Sequence, residues 1–369
     1  MKRNLILHVG MPKTGSTALQ GFLKRHSVKF EDKKIGYYKP INQFTPWVTW
    51  SNASFLLTQL LLSLPEVDEG VKRAFLINNP SLDIVRLRFN EQTKLNLAKE
   101  IENFKAYVKK YDTVILSEEV IWHYEPFYES YWDTLKRIID EYYEEPYEVK
   151  NIVYLRRQDQ WFESKWKEDM RNQIPYTLDF EESLKAYDEV GYFDYAKAIQ
   201  RVEKAFGKEA IIVRNYDRRI LIKESIIEDF FDATKIENPI EVNSSAIRNP
   251  SLSAELARGM LLINKGDTKC EARENCPVVS NILSKYFKKN YNLMKTETAK
   301  TLLNKYEEGN TYINETYLTK ETALSNIMKK RKVLKKNDLR DKTISMLIAF
   351  LCKPKICKKL LKMRDILEG

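Results

Sequence analysis

Long apolar runs are absent from this 369-residue chain. With no stretch of about 18 apolar residues, no segment is expected to cross a bilayer as a helix. Cysteine and histidine are scarce, at four and three copies. The cysteines fall as C-x5-C (Cys270, Cys276) and C-x4-C (Cys352, Cys357), spacings that match no zinc motif. His8, His26 and His123 are too few to supply the missing ligands. No metal site is expected, and the cysteines read as reduced thiols of a reducing compartment, not a disulfide framework. The N-terminal apolar run "NLILHV" lacks a small-residue cleavage site and leads straight into a glycine loop. It therefore reads as a first strand and not as a signal peptide, and a cytoplasmic protein is expected.

Basic charge is not lacking, but it is unevenly placed. The net charge is +10. Lys329 to Gly369 alone carries fourteen Lys or Arg against four Asp or Glu, an excess equal to that of the whole chain. Residues 1–328 are neutral overall, so the main body shows no electrostatic footprint for nucleic acid, and no nucleic-acid partner is expected. The chain is 43% apolar and 12% aromatic, enough for a sizeable core. Its length suits one main domain, placed at 1–320, with a basic amphipathic extension at 321–369. Within the extension, "TISMLIAFLCKPKICKKLLKMRDIL" mixes apolar and basic residues. Such a helix suits peripheral contact with a membrane through residues 329–369. The competing expectation is that Leu347, Ile348, Phe350 and Leu351 pack on the main domain.

Apolar runs of strand length alternate with segments of helical spacing. Strands are expected at 4–9, 35–38, 113–117, 150–156 and 210–216, with helices at 16–26, 91–111, 128–143, 158–171, 195–207 and 222–234. Residues 40–90 read as a variable helical insertion, and the chain after about residue 250 as helical throughout. Near-continuous apolar strands separated by helices imply an α/β fold: a parallel sheet flanked by helices, with a helical C-terminal part. Ligands of such sheets bind beyond the carboxyl ends of the strands. The loop 10–17, Ser117 to Glu119, Arg156 and Tyr216 all follow strands and can meet on one edge.

The loop "HVGMPKTGSTAL" (8–19) nearly matches the phosphate-loop pattern G-x-x-x-x-G-K-[ST]. Gly10, Gly15 and Thr17 keep their places, but Ser16 replaces the lysine and Lys13 stands three residues earlier. Backbone N–H groups from Thr14 to Thr17, at a helix N-terminus, attract an anion whatever the side chains. Without lysine at position 16 the loop cannot grip the terminal phosphates of a Mg-nucleotide in the usual way. Lys13 approaches from another side and suits a transferred group less negative than phosphoryl. Sulfuryl, formally neutral SO₃, needs no metal, and the lysine then stabilises the departing phosphate.

"PKTGST" (12–17) resembles the 5′-phosphosulfate loop of sulfotransferases that use 3′-phosphoadenosine 5′-phosphosulfate (PAPS). "VYLRRQDQWFES" (153–164) resembles their 3′-phosphate motif, with Arg156 at the strand end and Ser164 eight positions on; Arg157 is one residue out of register. "VRNYD" (213–217) resembles the later strand whose tyrosine, here Tyr216, approaches the nucleotide. With "NPSLSAELARGMLLIN", these segments are most similar to bacterial sulfotransferases acting on glycans or small metabolites. The resemblance covers roughly residues 4–320. It implies a P-loop-like fold with PAPS as donor and its desulfated product PAP as leaving group. It implies donor binding by Pro12, Lys13, Thr14, Gly15, Ser16, Thr17, Arg156, Ser164 and Tyr216, without a metal. The acceptor would be a hydroxyl or amine of a glycan or small molecule. The arginine-lysine-glycine segment of animal cytosolic sulfotransferases has no counterpart; Ser244, Ser245 or Arg248 in "VNSSAIRNPS" stands in its place.

The acceptor needs a base. "VILSEEVIW" puts Glu118 and Glu119 just past a strand; the resemblance favours Glu119, with Glu118, His8 and His123 in reserve. Against these roles stand plainer ones: a loop lysine, a surface arginine, a packing tyrosine, carboxylates at a helix start, core aromatics over 122–143. Two other functions remain open. A P-loop kinase would require Mg²⁺ and is disfavoured by Ser16. A membrane-surface binder acting through the basic tail would leave the phosphate motifs without a purpose.

Overall fold

The computed structural model describes residues 3–40, 54, 56–57, 60, 91–119, 121–122, 125–127, 129–143, 147–171, 176–242, 252–284, 286–287, 291–325, 331–335 and 337–368. Most of the expected insertion at 40–90 therefore lies outside the described residues, as do His123, Ser244, Ser245 and Arg248. In chain order the elements are β1 (Arg3–His8), α1 (Ser16–Arg25), α2 (Ser27–Glu31), β2 (Ile35–Tyr37), α3 (Glu91–Val108), β3 (Thr113–Ser117), α4 (Tyr131–Tyr142) and β4 (Tyr147–Leu155). They continue with α5 (Gln158–Asp169), α6 (Phe180–Glu189), α7 (Tyr195–Phe206), β5 (Ile211–Asn215), α8 (Ile226–Thr234), α9 (Ala254–Lys265) and α10 (Cys276–Ser284). The last are α11 (Thr296–Lys305), α12 (Glu307–Tyr317), α13 (Asp338–Leu351) and α14 (Pro354–Glu368).

These elements form two compact units. The first comprises Met1–Arg157, Val190–Ile247 and Tyr306–Ser325; the second comprises Gln158–Glu189, Arg248–Lys305 and Asn326–Gly369.

The first unit is the α/β layer expected from the alternating pattern. Its five strands run in the order β2-β3-β1-β4-β5, and every pairing is parallel. Parallel strands buried on both faces carry continuous apolar runs; Leu5, Leu7, Val114, Ile115 and Ile152 to Leu155 are all buried. One face is covered by α1 and α8. Leu19, Phe22 and Leu23 of α1 meet Phe230 and Phe231 of α8 over Ile6, Ile152 and Tyr154. Each such side chain contributes about 1.5–3 kcal/mol of burial. Caps set the helix limits. Asp194 accepts the N–H of Lys197 at the start of α7, and Gly207 ends it. The helix expected from 222 begins later, because the Ser225 hydroxyl caps the N–H of Glu228; a 3₁₀ turn with left-handed Lys223 precedes it. Helical spacing alone does not reveal that break.

The second unit is helical among its described residues. Glycine at 259 lets α9 and α13 close up: a Cβ there would lie 2.7 Å from Ile344 Cγ2. Ile344 and Ile348 are buried, and Arg331 sits in an ion-pair network with Asp159 and Glu163 of α5. Part of the basic extension thus belongs to this unit's interior. Of the four extension residues expected to pack inward, Ile348 is fully buried and Leu351 half-buried, whereas Leu347 and Phe350 are 39% and 53% exposed. α6, unassigned in the sequence reading, lies here too. Among the described residues no helix is long and apolar enough to cross a membrane.

Candidate functional site

Because the strands are parallel, their carboxyl ends share one edge. β1 ends at His8 and is paired there with Ser117, the last residue of β3. Val9 donates to the Ile152 carbonyl at 3.2 Å, and Glu118 to the His8 carbonyl at 2.9 Å, so the chain is still held by sheet neighbours as it leaves each strand. The loop after β1 is then shaped by its own residues. Thr14 Oγ1 donates to the Met11 carbonyl at 2.6 Å. Lys13 takes a left-handed φ of 68°, which costs a residue with a Cβ about 1–2 kcal/mol. Gly15, at φ 86°, begins α1; a Cβ there would lie 3.0 Å from the Tyr216 ring. Gly10 is demanded by close approach, since a Cβ would stand 2.9 Å from His8 Nε2.

The start of α1 has no side-chain cap and no acidic residue in its first turn. Ala18 and Leu19 both donate to the Gly15 carbonyl. The N–H groups of Ser16 and Thr17 therefore have no intrahelical acceptor, the usual condition of a first turn. Around this opening the other strand ends converge. Arg156, one residue past β4, donates through Nη1 to the Lys13 carbonyl at 3.2 Å, and its guanidinium stands 6.0 Å from the centre of the Tyr216 ring. Tyr216, one residue past β5, donates its backbone N–H to the Leu155 carbonyl at 2.6 Å. Tyr195 of α7 fixes the turn from behind, donating to the Arg156 carbonyl at 2.8 Å.

The two candidate acids separate cleanly. Glu118 is buried and accepts the Leu57 backbone N–H at 3.0 Å. Glu119 is half-exposed and accepts the Ser16 hydroxyl. The serine that replaces the usual lysine therefore faces a carboxylate, a contact the loop pattern does not contain. His8 is fully buried, and burial lowers its pKa to about 4. It is neutral, bonded through Nδ1 to Ser117 Oγ at 2.8 Å and set edge-on to Tyr154 and Phe230. Its surroundings are those of a core histidine. Ser117 also accepts from buried Gln20 at 3.1 Å, a link between α1 and β3 that the sequence reading did not identify.

Of the expected site residues, Lys13, Gly15, Ser16, Glu119, Arg156 and Tyr216 are thus brought together in the first unit. Pro12 and Thr14 build the loop, and Thr17 is exposed on the first turn of α1. Ser164 lies on α5 in the second unit and is buried. Arg157 donates to the Ser325 carbonyl at 3.4 Å. Among the described aromatics of 122–143, Trp122, Tyr131, Trp132 and Tyr143 are all buried, as core packing requires.

No family model matches the chain. An uncharacterized protein of Archaeoglobus fulgidus is 36% identical over 104 residues, which is 28% of this chain and 27% of that protein's length. Among solved structures, a sulfotransferase from Alicyclobacillus acidocaldarius superposes with a TM-score of 0.38 at 18% identity, over 74% of this chain and 100% of that one. A likeness of that size carries nothing about chemistry, which rests on the site's own residues.

Proposed function

We propose that the first unit transfers a sulfuryl group from PAPS to a hydroxyl or amine, without a metal at the loop. The observation that carries this reading is the exchange of roles within the loop. The helix start is uncapped and free of first-turn acids, as an anion site requires. Yet its lysine is at 13, tied by its carbonyl to Arg156, and position 16 holds a serine turned to Glu119. In this reading the N–H groups of the loop hold the 5′-phosphosulfate. Lys13 neutralises the charge that develops on the bridging oxygen as its bond to sulfur breaks. Glu119 takes the proton of the attacking hydroxyl. The products are the sulfated acceptor and PAP, and the proton stays on the carboxylate until solvent removes it. Arg156 forks onto the 3′-phosphate, and Tyr216, seated on Gly15, lies beside the nucleotide. The resemblance of the motifs points to a glycan as acceptor.

The competing reading, a kinase, differs in its demand for Mg²⁺. Thermal shift with PAP and EDTA tests the choice. A Kd one hundredth of the ligand concentration stabilises by about 2.7 kcal/mol, so a clear rise in Tm with PAP in EDTA is expected. A rise with Mg-ATP alone would replace sulfuryl transfer by phosphoryl transfer.

A further inference from the structure

All four cysteines of the chain lie in the second unit, and the fold brings the sulfurs of three of them, Cys270, Cys276 and Cys352, together. Cys270 sits in the turn after α9, Cys276 opens α10, Cys352 follows α13 and Cys357 lies on the first turn of α14. The Cys276 sulfur is 3.5 Å from that of Cys270 and 3.1 Å from that of Cys352. All three sulfurs lie within 4.8 Å of one another. Cys276, Cys352 and Cys357 are buried and Cys270 is partly so. We propose that Cys270, Cys276 and Cys352, with Cys357 as fourth ligand, form a structural zinc site in the helical unit.

The spacing fits one ion. A Zn–S bond of about 2.3 Å in a tetrahedron sets sulfur–sulfur edges of about 3.8 Å, close to the observed separations. Thiolates shared among the irons of a cluster would stand farther apart. A disulfide would join Cys276 to one neighbour and leave the other thiol buried beside it, so three sulfurs converging on one point favour a cation over a cross-link. Four sulfur donors select zinc among divalent ions.

The surroundings are prepared for thiolates. Cys276 is the first residue of a helix, where N–H groups favour the anion. The backbone of Ala272 hydrogen-bonds the Cys270 sulfur. A dication held at this point would balance the thiolates, since a coordinating thiol is deprotonated outright. The two cysteine-bearing segments are pinned independently of any ion. Asn275 donates to the Cys352 carbonyl at 2.9 Å, and Thr268 bonds Ser345 at 2.7 Å.

The experiment uses the full chain, isolated anaerobically and reduced. Metal analysis is expected to find about one zinc per chain. Exchange with Co²⁺ is expected to give sulfur-to-cobalt charge transfer and the intense visible bands of a tetrahedral site. Zn²⁺ added to metal-stripped protein is expected to protect all four thiols from alkylation, a readout on the unmutated chain that does not depend on variants folding. Cys276→Ser and Cys352→Ser should lose the cobalt spectrum. Cys357→Ser should weaken Zn²⁺ by more than the roughly 10–100-fold that loss of an outer-shell partner costs; unchanged affinity would overturn its assignment as a ligand. A Cys276–Cys352 disulfide in the anaerobic protein, or wild-type thiols that neither bind Co²⁺ nor gain protection from Zn²⁺, would overturn the site.

Discussion

In the first unit the polar groups that meet do so by a rule of the backbone. Each is one or two residues past the end of a parallel strand: Glu119 after β3, Arg156 after β4, Tyr216 after β5, with the Lys13 loop after β1. In the second unit the polar clusters follow no such rule. Arg331 reaches back to Asp159 and Glu163, 172 and 168 residues away, and Cys276 meets Cys352 across 76. The first arrangement leaves groups half-exposed at an edge, able to meet a ligand. The second buries charge and thiol where only partners, or an ion, make burial tolerable. On the function proposed above, the exposed edge of the first unit meets the ligand, while the buried clusters of the second hold its helices together.

Lys13→Ala breaks the first half of that contrast most severely. Turnover should fall by about a thousandfold or more, the cost of removing a charge aimed at the transition state, with Tm unchanged because the loop is shaped by Thr14, Gly10 and Gly15. Glu119→Gln should follow, with about 10²–10⁴-fold in rate and little change in PAP affinity. If Glu118→Gln is the more damaging, the base is misassigned.

Arg331→Ala probes the other half. It removes one charged partner from each of two carboxylates whose side chains are 0% and 7% exposed, Glu163 keeping Lys167, and stability should fall by about 1.5–3 kcal/mol, the worth of a hydrogen bond to a charged group. Denaturant unfolding should register it, while PAP affinity of the folded protein stays unchanged. A stable Arg331→Ala that fails to bind PAP would erase the division of labour. The same network, with buried Leu334, Ile344 and Ile348, predicts that a chain ending at Met328 lacks a folded second unit.

His8 sharpens the comparison through pH. Its native pKa near 4 lies below the 6.5 of an unfolded histidine. Between those values the unfolded chain takes up a proton that the native one refuses. Stability is therefore undiminished above 6.5 and falls by about 3 kcal/mol as pH drops towards 4. In His8→Gln that part of the slope should vanish; an equal slope would mean the ring is protonated in the native state.

Arg156→Ala should weaken PAP by about 1.5–3 kcal/mol and AMP far less, measured by calorimetry. Equal losses would place the 3′-phosphate elsewhere. The smallest effect concerns the tail. Met346 and Phe350, 64% and 53% exposed, stand among lysines, and anionic vesicles should gain about 1 kcal/mol per basic residue at the surface. Pelleting with anionic but not neutral vesicles would support peripheral contact; equal behaviour with both would remove it.

By itself the sequence determined the parallel sheet, the glycine loop and the displacement of lysine from 16 to 13. These are local: a strand is a short apolar run, a loop is a few adjacent residues, and the strand ends then meet because parallel pairing puts them on one edge. β3 was legible to the residue, since its burial on both faces leaves a continuous apolar string. Tertiary structure alone decided which of Glu118 and Glu119 faces the loop, because two adjacent carboxylates look alike until one is bonded to the Leu57 N–H and the other to Ser16. It alone decided that Cys352 joins Cys270 and Cys276 in one cluster, and that a lysine-rich tail yields an interior arginine. Such contacts join segments far apart in the chain, and their energy comes from excluding water around groups whose spacing in sequence carries no trace of the meeting.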